Sequence, residues 1–193
     1  MTVTERADAA RNRQAILAAA NTLFETADDP LTVTMDDIAA AAGVGKGTLF
    51  RRFGDRTGLM RAVFDARIAG LMDAILTGPP PLGPDTPPRE RLLALLDAMV
   101  EFKLDNRKIT RAQEQTSERT SFLENPSYQL AHALFTQLLT GMVTEDRAEW
   151  TAHALLSFTR IDLLENLITT QGWTAARLRQ EIQDVADRIL GPQ

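Results

Sequence analysis

Twenty residues, TMDDIAAAAGVGKGTLFRRF from Thr34 to Phe53, constrain this chain more than any other stretch. They read as two short helices meeting at a tight turn. Thr34 is an N-cap residue with Asp37 three positions on, a capping-box-like pair that starts a helix. Met35 to Ala42 is apolar and alanine-rich, and Gly43 supplies the left-handed residue with which a helix can end. A second short helix is predicted from about Lys46 to Phe53, stopped by Gly54. Ala39, Ala40, Ala41 and Ala42 would keep the first helix slim so that the second can cross it closely. Val44 is the apolar plug of the turn. Ile38, Leu49 and Phe53 would bury the pair against an earlier helix, predicted over about 9–26, with Ile16, Ala20, Leu23, Phe24 and Ala27 as its stripe. Asp28-Asp29-Pro30 ends that helix. Three helices in this order, the last two joined by a glycine-containing turn, describe a helix-turn-helix unit.

This packing leaves Lys46, Gly47, Thr48, Phe50, Arg51 and Arg52 facing outward. A recognition helix reads base edges from its N-terminal turn, so Lys46 and Gly47 are the candidates for base contact. Lys46 can donate to guanine O6 and N7. Gly47 has no side chain to hold the helix off the groove floor. Thr48, Arg51 and Arg52 are placed for phosphates. The helix starts capped at Thr34 and Asp55 can accept phosphates through backbone N–H groups, and Arg56 stands beside the second of them. The net charge of −5 does not exclude DNA, because residues 1–61 hold eight basic and eight acidic groups and the excess acid lies beyond them. Within 46–61 five cations face one acid, Asp55. Screening over about 8 Å isolates such a patch from distant acids.

Beyond it, helical periodicity runs through the chain without sustained strand alternation, which makes the expected fold all-α, with about nine helices. A helix over 56–76 carries Leu59, Val63, Phe64, Leu71 and Ile75. Residues 77–88, TGPPPLGPDTPP, hold six of the nine prolines and break the chain. Further helices are expected at about 89–105, 107–119, 126–142, 146–170 and 174–190. The division expected is a helix-turn-helix domain over 1–55 and a second, helical C-terminal domain over 56–193, with the helix 56–76 linking them. The chain has no cysteine, no apolar signal core behind its charged N-terminus and no stretch of about 18 apolar residues. The expectation is a cytoplasmic protein with no membrane partner.

From Arg13 through Val63 the chain resembles the DNA-binding domain of the TetR family. The residues that carry the likeness are Ile16-Leu17-Ala18-Ala19-Ala20, Leu23-Phe24, Thr34, Ile38-Ala39, Ala42-Gly43-Val44, Gly47-Thr48-Leu49-Phe50, Phe53 and Leu59. The resemblance implies a homodimer on a palindromic double-stranded DNA operator, with a pocket for a small-molecule effector in the C-terminal domain. It implies phosphate contacts from Thr48, Phe50, Arg52 and Arg56. The chain departs from the family's usual Ser at Gly45, Tyr at Phe50, Lys at Arg56 and acidic-small pair at Thr57-Gly58. The glycine weakens a cap, and the phenylalanine lacks a phosphate-binding hydroxyl.

The last two expected helices carry the apolar residues Trp150, Ala154, Phe158, Ile161, Leu164 and Ile168, then Leu178, Ile182, Val185 and Ile189. The family pairs these helices with their symmetry mates in a four-helix bundle, so they are the expected dimer interface. Such a dimer presents two recognition helices about one DNA turn apart. The effector pocket is expected among Met99, Phe102, Gln115, Arg119, Phe122, Tyr128, His132 and Phe135. His132 and His153 lack a convincing ligand set, so neither a metal nor another cofactor is expected. No phosphate loop, nucleophile elbow or triad stands in the chain, which argues against an enzyme. The reading is a transcriptional repressor released from its operator when a ligand shifts the population through the helix 56–76. The alternatives are a ligand-independent or activating regulator, or a helical adaptor without DNA binding.

Overall fold

A computed structural model describes residues 3–117 and 122–191, with side chains over 8–114 and 123–191. Ten α-helices run through the described residues: α1 Val3–Thr26, α2 Met35–Ala42, α3 Lys46–Phe53, α4 Arg56–Thr77, α5 Pro88–Asp105, α6 Arg107–Ser117, α7 Pro126–Leu139, α8 Glu145–Ser157, α9 Ile161–Glu165 and α10 Ala175–Leu190. Extended pairing among these residues is limited to one isolated bridge, Thr140 with Val143. The all-α expectation holds, and the boundaries of α2 and α3 fall where Thr34, Gly43, Lys46 and Gly54 put them.

Three boundaries differ from the sequence reading, the first being that α1 begins at Val3 and not at about residue 9. The helix expected over 126–142 stops at Leu139, and Gly141 turns the chain at a φ of 86°. The helix expected over 146–170 is broken after Ser157 and restarts at Ile161, which makes ten helices where nine were expected. No glycine or proline marks that break. Hydroxyls mark it instead: Ser157 Oγ donates to the Ala154 carbonyl at 2.6 Å and Thr159 Oγ1 to the Leu156 carbonyl at 2.9 Å, competing with the helical ladder. The break also changes phase. Ala152, Leu155, Leu156 and Thr159 face inward before it, and an unbroken helix could not then turn both Ile161 and Leu164 inward as well. A π-helical segment, Asn166–Thr170, follows α9.

The chain divides into two compact units. The first comprises residues up to Arg67 together with 108–116, so it takes in the first turns of α4 and most of α6. Sequence reasoning placed the division at 55, but Leu59, Met60, Val63 and Phe64 of α4 and Ile109 and Ala112 of α6 are buried along with Ile16, Ala20, Phe24, Ile38 and Leu49. Lys108 fastens α6 to the end of α1, its ammonium donating to the carbonyls of Glu25 and Ala27 at 2.8 Å. A cation there complements the negative end of the helix.

The second unit, 68–107 and 117 onward, is built on α5, which packs on α7, α9 and α10, while α8 lies against α7. Its core joins Leu92, Leu95, Leu96 and Val100 to Phe135, Leu139, Leu155, Leu164, Leu178 and Ile182. This corrects part of the expected dimer surface. Ile161, Leu164, Leu178 and Ile182 are buried within the chain itself, because the inner half of an amphipathic stripe serves the unit's own core. Trp150, 70% exposed, and Ile189, 39% exposed, remain at the surface, with Ala154, Phe158, Ile168 and Val185 half-buried.

On α7 and α8 the rings of His132 and His153 stack at 3.9 Å, and the Tyr128 hydroxyl shares a hydrogen bond with Nδ1 of His153. Burial, then the neighbouring His132, holds His153 below the ordinary histidine value of 6.5, against a smaller opposing effect of Glu149. Burial also raises the Tyr128 hydroxyl above its usual range. A histidine whose folded value is depressed contributes stability that is present above 6.5 and is lost as pH falls from there toward the depressed value, since the unfolded chain takes up the proton first. Urea unfolding between pH 6.5 and 5.5 should therefore show falling stability in the parent and a shallower fall in His153→Gln. Equal slopes in the two proteins would remove His153 from the account.

Candidate nucleic-acid interface

The surface of interest is set by three local devices in the first unit. At the start of α2 a complete capping box forms: Thr34 Oγ1 accepts from Asp37 N–H at 3.2 Å, and Asp37 Oδ2 accepts from Thr34 N–H at 3.0 Å. The Thr34 hydroxyl also donates to that carboxylate at 2.6 Å, which holds Asp37 below the usual carboxylate range. At the end of α2, Gly43 adopts φ 64° and ψ 32°, and the N–H groups of Gly43 and Val44 return to the carbonyls of Ala40 and Ala39. Only a residue without a Cβ enters that region at no cost. At the start of α4, Asp55 Oδ1 accepts from Gly58 N–H at 2.8 Å. Between these, α3 has a glycine cap, Gly45, with no side-chain hydrogen bond.

Of the four alanines of α2 only Ala39 is buried; Ala40 and Ala41 are exposed and Ala42 is half-buried. Close crossing of α2 and α3 thus needs one small residue rather than four. On α3, Leu49 is fully buried, whereas Lys46, Gly47, Phe50 and Arg51 are exposed and Thr48 is half-buried. Phe53, expected to be buried, is half-buried, with the Arg13 guanidinium 5.7 Å from its ring centre. Space around Gly47 is open: a Cβ built there meets nothing within 4 Å. The fold itself therefore gives no reason for a glycine at that position.

The cations expected on this face differ in how free they are. Lys46 Nζ pairs with Asp36 of α2 at 2.6 Å and lies 6.0 Å from the centre of the Phe50 ring. Arg51 is exposed and has no partner among the described residues. Arg52 is half-buried and donates from Nη1 to the Ala9 carbonyl at 2.8 Å, with Nε buried and unpartnered. Arg56 donates to the Leu31 carbonyl. Arg52 and Arg56 thus tie α3 and α4 to the chain before them. Their local sequence shows only that they are basic; the carbonyls they reach are 43 and 25 residues away.

In the second unit, Met99, Phe102, Tyr128 and His132 are half-buried and Phe135 is fully packed in the core. Gln115 belongs to α6, and its side chain, that of Phe122 and the whole of Arg119 lie outside the described residues. An open groove of about 450 Å³ runs between α5 and α10, lined by Leu93, Ala94, Asp97, Ala176, Arg179, Gln180 and Gln183. None of the eight residues expected at an effector pocket lines it. Arg179 is tied there to Asp97 and to Glu101. Among the described residues no group of three or more His, Cys, Asp or Glu side chains comes together as a metal site would require, and no helix is long and apolar enough to cross a membrane.

Three helices with a capped, glycine-turned pair and an open, cationic second member define a helix-turn-helix domain. Residues 16–63 match the family model of the bacterial regulatory proteins of the tetR family, and over this segment the chain is similar to that family. Over 124 residues it is 32% identical to an HTH-type transcriptional regulator of Staphylococcus aureus strain MRSA252, a match covering 63% of each chain and so less than two thirds of that relative's length. Its fold is similar to that of a TetR-like transcriptional regulator from Rhodococcus sp. RHA1, with a TM-score of 0.64 and 22% identity over 94% of this chain and 97% of the other. It is also similar to NalD of Pseudomonas aeruginosa, the secondary repressor of the MexAB-OprM multidrug efflux pump, with a TM-score of 0.65 and 20% identity over 94% and 96% of the two chains. At such identities the structural likeness is one of fold.

Proposed function

We propose that this protein is a sequence-specific DNA-binding transcriptional regulator, working as a homodimer on a palindromic operator and released from it by a small-molecule effector. The observation that carries the reading is the exposed face of α3. Lys46, Gly47, Phe50 and Arg51 lie together on a helix whose one fully buried residue is Leu49, and the open glycine leaves room for a rigid surface to approach. A major groove is wide enough to admit such a helix. Thr34 and Thr48 flank it, and Arg52 and Arg56 reach phosphates only with donors not held by Ala9 and Leu31. The first unit carries the DNA-binding role and the second the effector and dimer roles, with the exposed Trp150 and Ile189 on the pairing surface. Repression is preferred to activation because NalD, which shares the fold, is a repressor.

Selection of random duplexes by the purified protein, followed by titration at several salt concentrations, tests this. A palindromic winner and a steep salt slope are the expected result; binding indifferent to salt would end the reading. Arg51→Ala should weaken binding to every duplex and reduce the salt slope by about one, without loss of thermal stability. Arg52→Ala should instead lower stability by about 1–3 kcal/mol, since it removes a charged donor from a partly buried carbonyl. Identical behaviour of the two variants in both assays would contradict this division of roles.

A further inference from the structure

An acidic side chain stands within the face just assigned to DNA. Asp37 is accounted for by the cap at Thr34. Its neighbour Asp36 is not: its side chain is 64% exposed, and its partner is Lys46, ten residues on, with Nζ 2.6 Å from Oδ1 and 2.9 Å from Oδ2. A pair this exposed contributes little to folding. The place of Asp36 in the first turn of α2 favours an acid only weakly, through the positive end of that helix, which is a small reason to keep a carboxylate where a polyanion is to approach. The side chains of both partners are more than half exposed, so the pair is open to an approaching surface.

The pair sets one donor beside one acceptor. The major-groove edge of a G·C pair carries the complementary set, with acceptors N7 and O6 on guanine and the N4 amino donor on cytosine next to them. In an A·T pair the amino donor sits between two acceptors, so an ammonium seated on the purine meets an amino group. Resting on the DNA-binding reading above, we infer that Asp36 is a specificity-determining residue: together with Lys46 it reads one G·C pair in each half-site as a unit. Lys46 donates to guanine while Asp36 accepts from cytosine N4. Asp36 also disfavours binding through phosphates alone. Lys46 cannot turn to a phosphate oxygen without leaving the carboxylate unpaired beside the duplex.

Duplex selection and titration with the full chain test this on the parent, Asp36→Ala, Lys46→Ala and the double variant, with thermal melting to establish that each folds. Asp36→Ala should bind a scrambled duplex about fivefold more tightly near 0.15 M salt and steepen the salt slope by about one. Its preference for G·C at one position per half-site should fall roughly tenfold. In the Lys46→Ala background, Asp36→Ala should no longer change that preference. Asp36→Asn, which keeps the side chain's size, carries the same comparison should the alanine variant unfold. Unchanged preference and unchanged scrambled-duplex affinity in the Asp36 variants overturn the inference while leaving DNA binding intact. Tighter scrambled binding with the G·C preference preserved overturns it too, since Asp36 would then only repel phosphates. A parent that selects no duplex overturns the DNA-binding reading itself, and this inference with it.

Discussion

Gly47→Ala should make the free protein more stable and its complex with DNA weaker. A glycine within a helix costs about 0.5–1 kcal/mol relative to alanine, through the freedom it loses on folding. Alanine at 47 would recover part of that, because its Cβ meets nothing within 4 Å and Gly47 has no positive φ to accommodate. Against a groove floor the same methyl stands between helix and bases. A displacement of even one carbon's width lengthens every base contact, and a tenfold loss of affinity, about 1.4 kcal/mol, is the least to expect. Melting and duplex titration on the same preparation read the two effects. A destabilised variant would mean that the space around residue 47 is smaller than described. Unaltered affinity would mean that this part of α3 does not enter the groove.

Leu49 and Phe50, neighbours in sequence, should behave as opposites. Leu49 is completely buried, the only residue of α3 that is, and its truncation to alanine should cost about 2–5 kcal/mol by loss of transfer energy and by the cavity left behind. That is a large part of the stability of a unit this size. Phe50 is 40% exposed, so Phe50→Ala should cost less than about 1 kcal/mol of stability while weakening the duplex complex through loss of ring contact with the backbone. Denaturant midpoints and duplex affinities of the two variants decide the matter. If Phe50→Ala is the more destabilising of the pair, the orientation assigned to α3 is wrong.

The helix-turn-helix was legible because each of its signals is local. Thr34 and Asp37 are three residues apart, Gly43 ends a helix by its own φ, and Leu49 lies on the inner face by helical period. The break between α8 and α9 was not legible. It depends on hydroxyls returning to backbone carbonyls and on the inward phase of Ile161 and Leu164, and a continuous apolar pattern hides both. The dimer stripe misled for a related reason. Periodicity identifies an apolar face but not what covers it, and four of the ten residues, on α9 and α10, are buried in the chain's own core, where those helices pack on α5.

Consecutive residues by themselves determined α2, α3 and the turn between them, and that Lys46, Gly47, Phe50 and Arg51 stand outward of the buried Leu49, because caps, glycine and a 3.6-residue period act within a few positions. Only the tertiary structure decided that Lys46 meets Asp36, that Arg52 and Arg56 hold distant carbonyls, and that Arg51 has no partner among the described residues. A long cationic side chain reaches many acceptors, and which one it finds depends on where other helices end in space, a quantity that spacing along the chain does not encode.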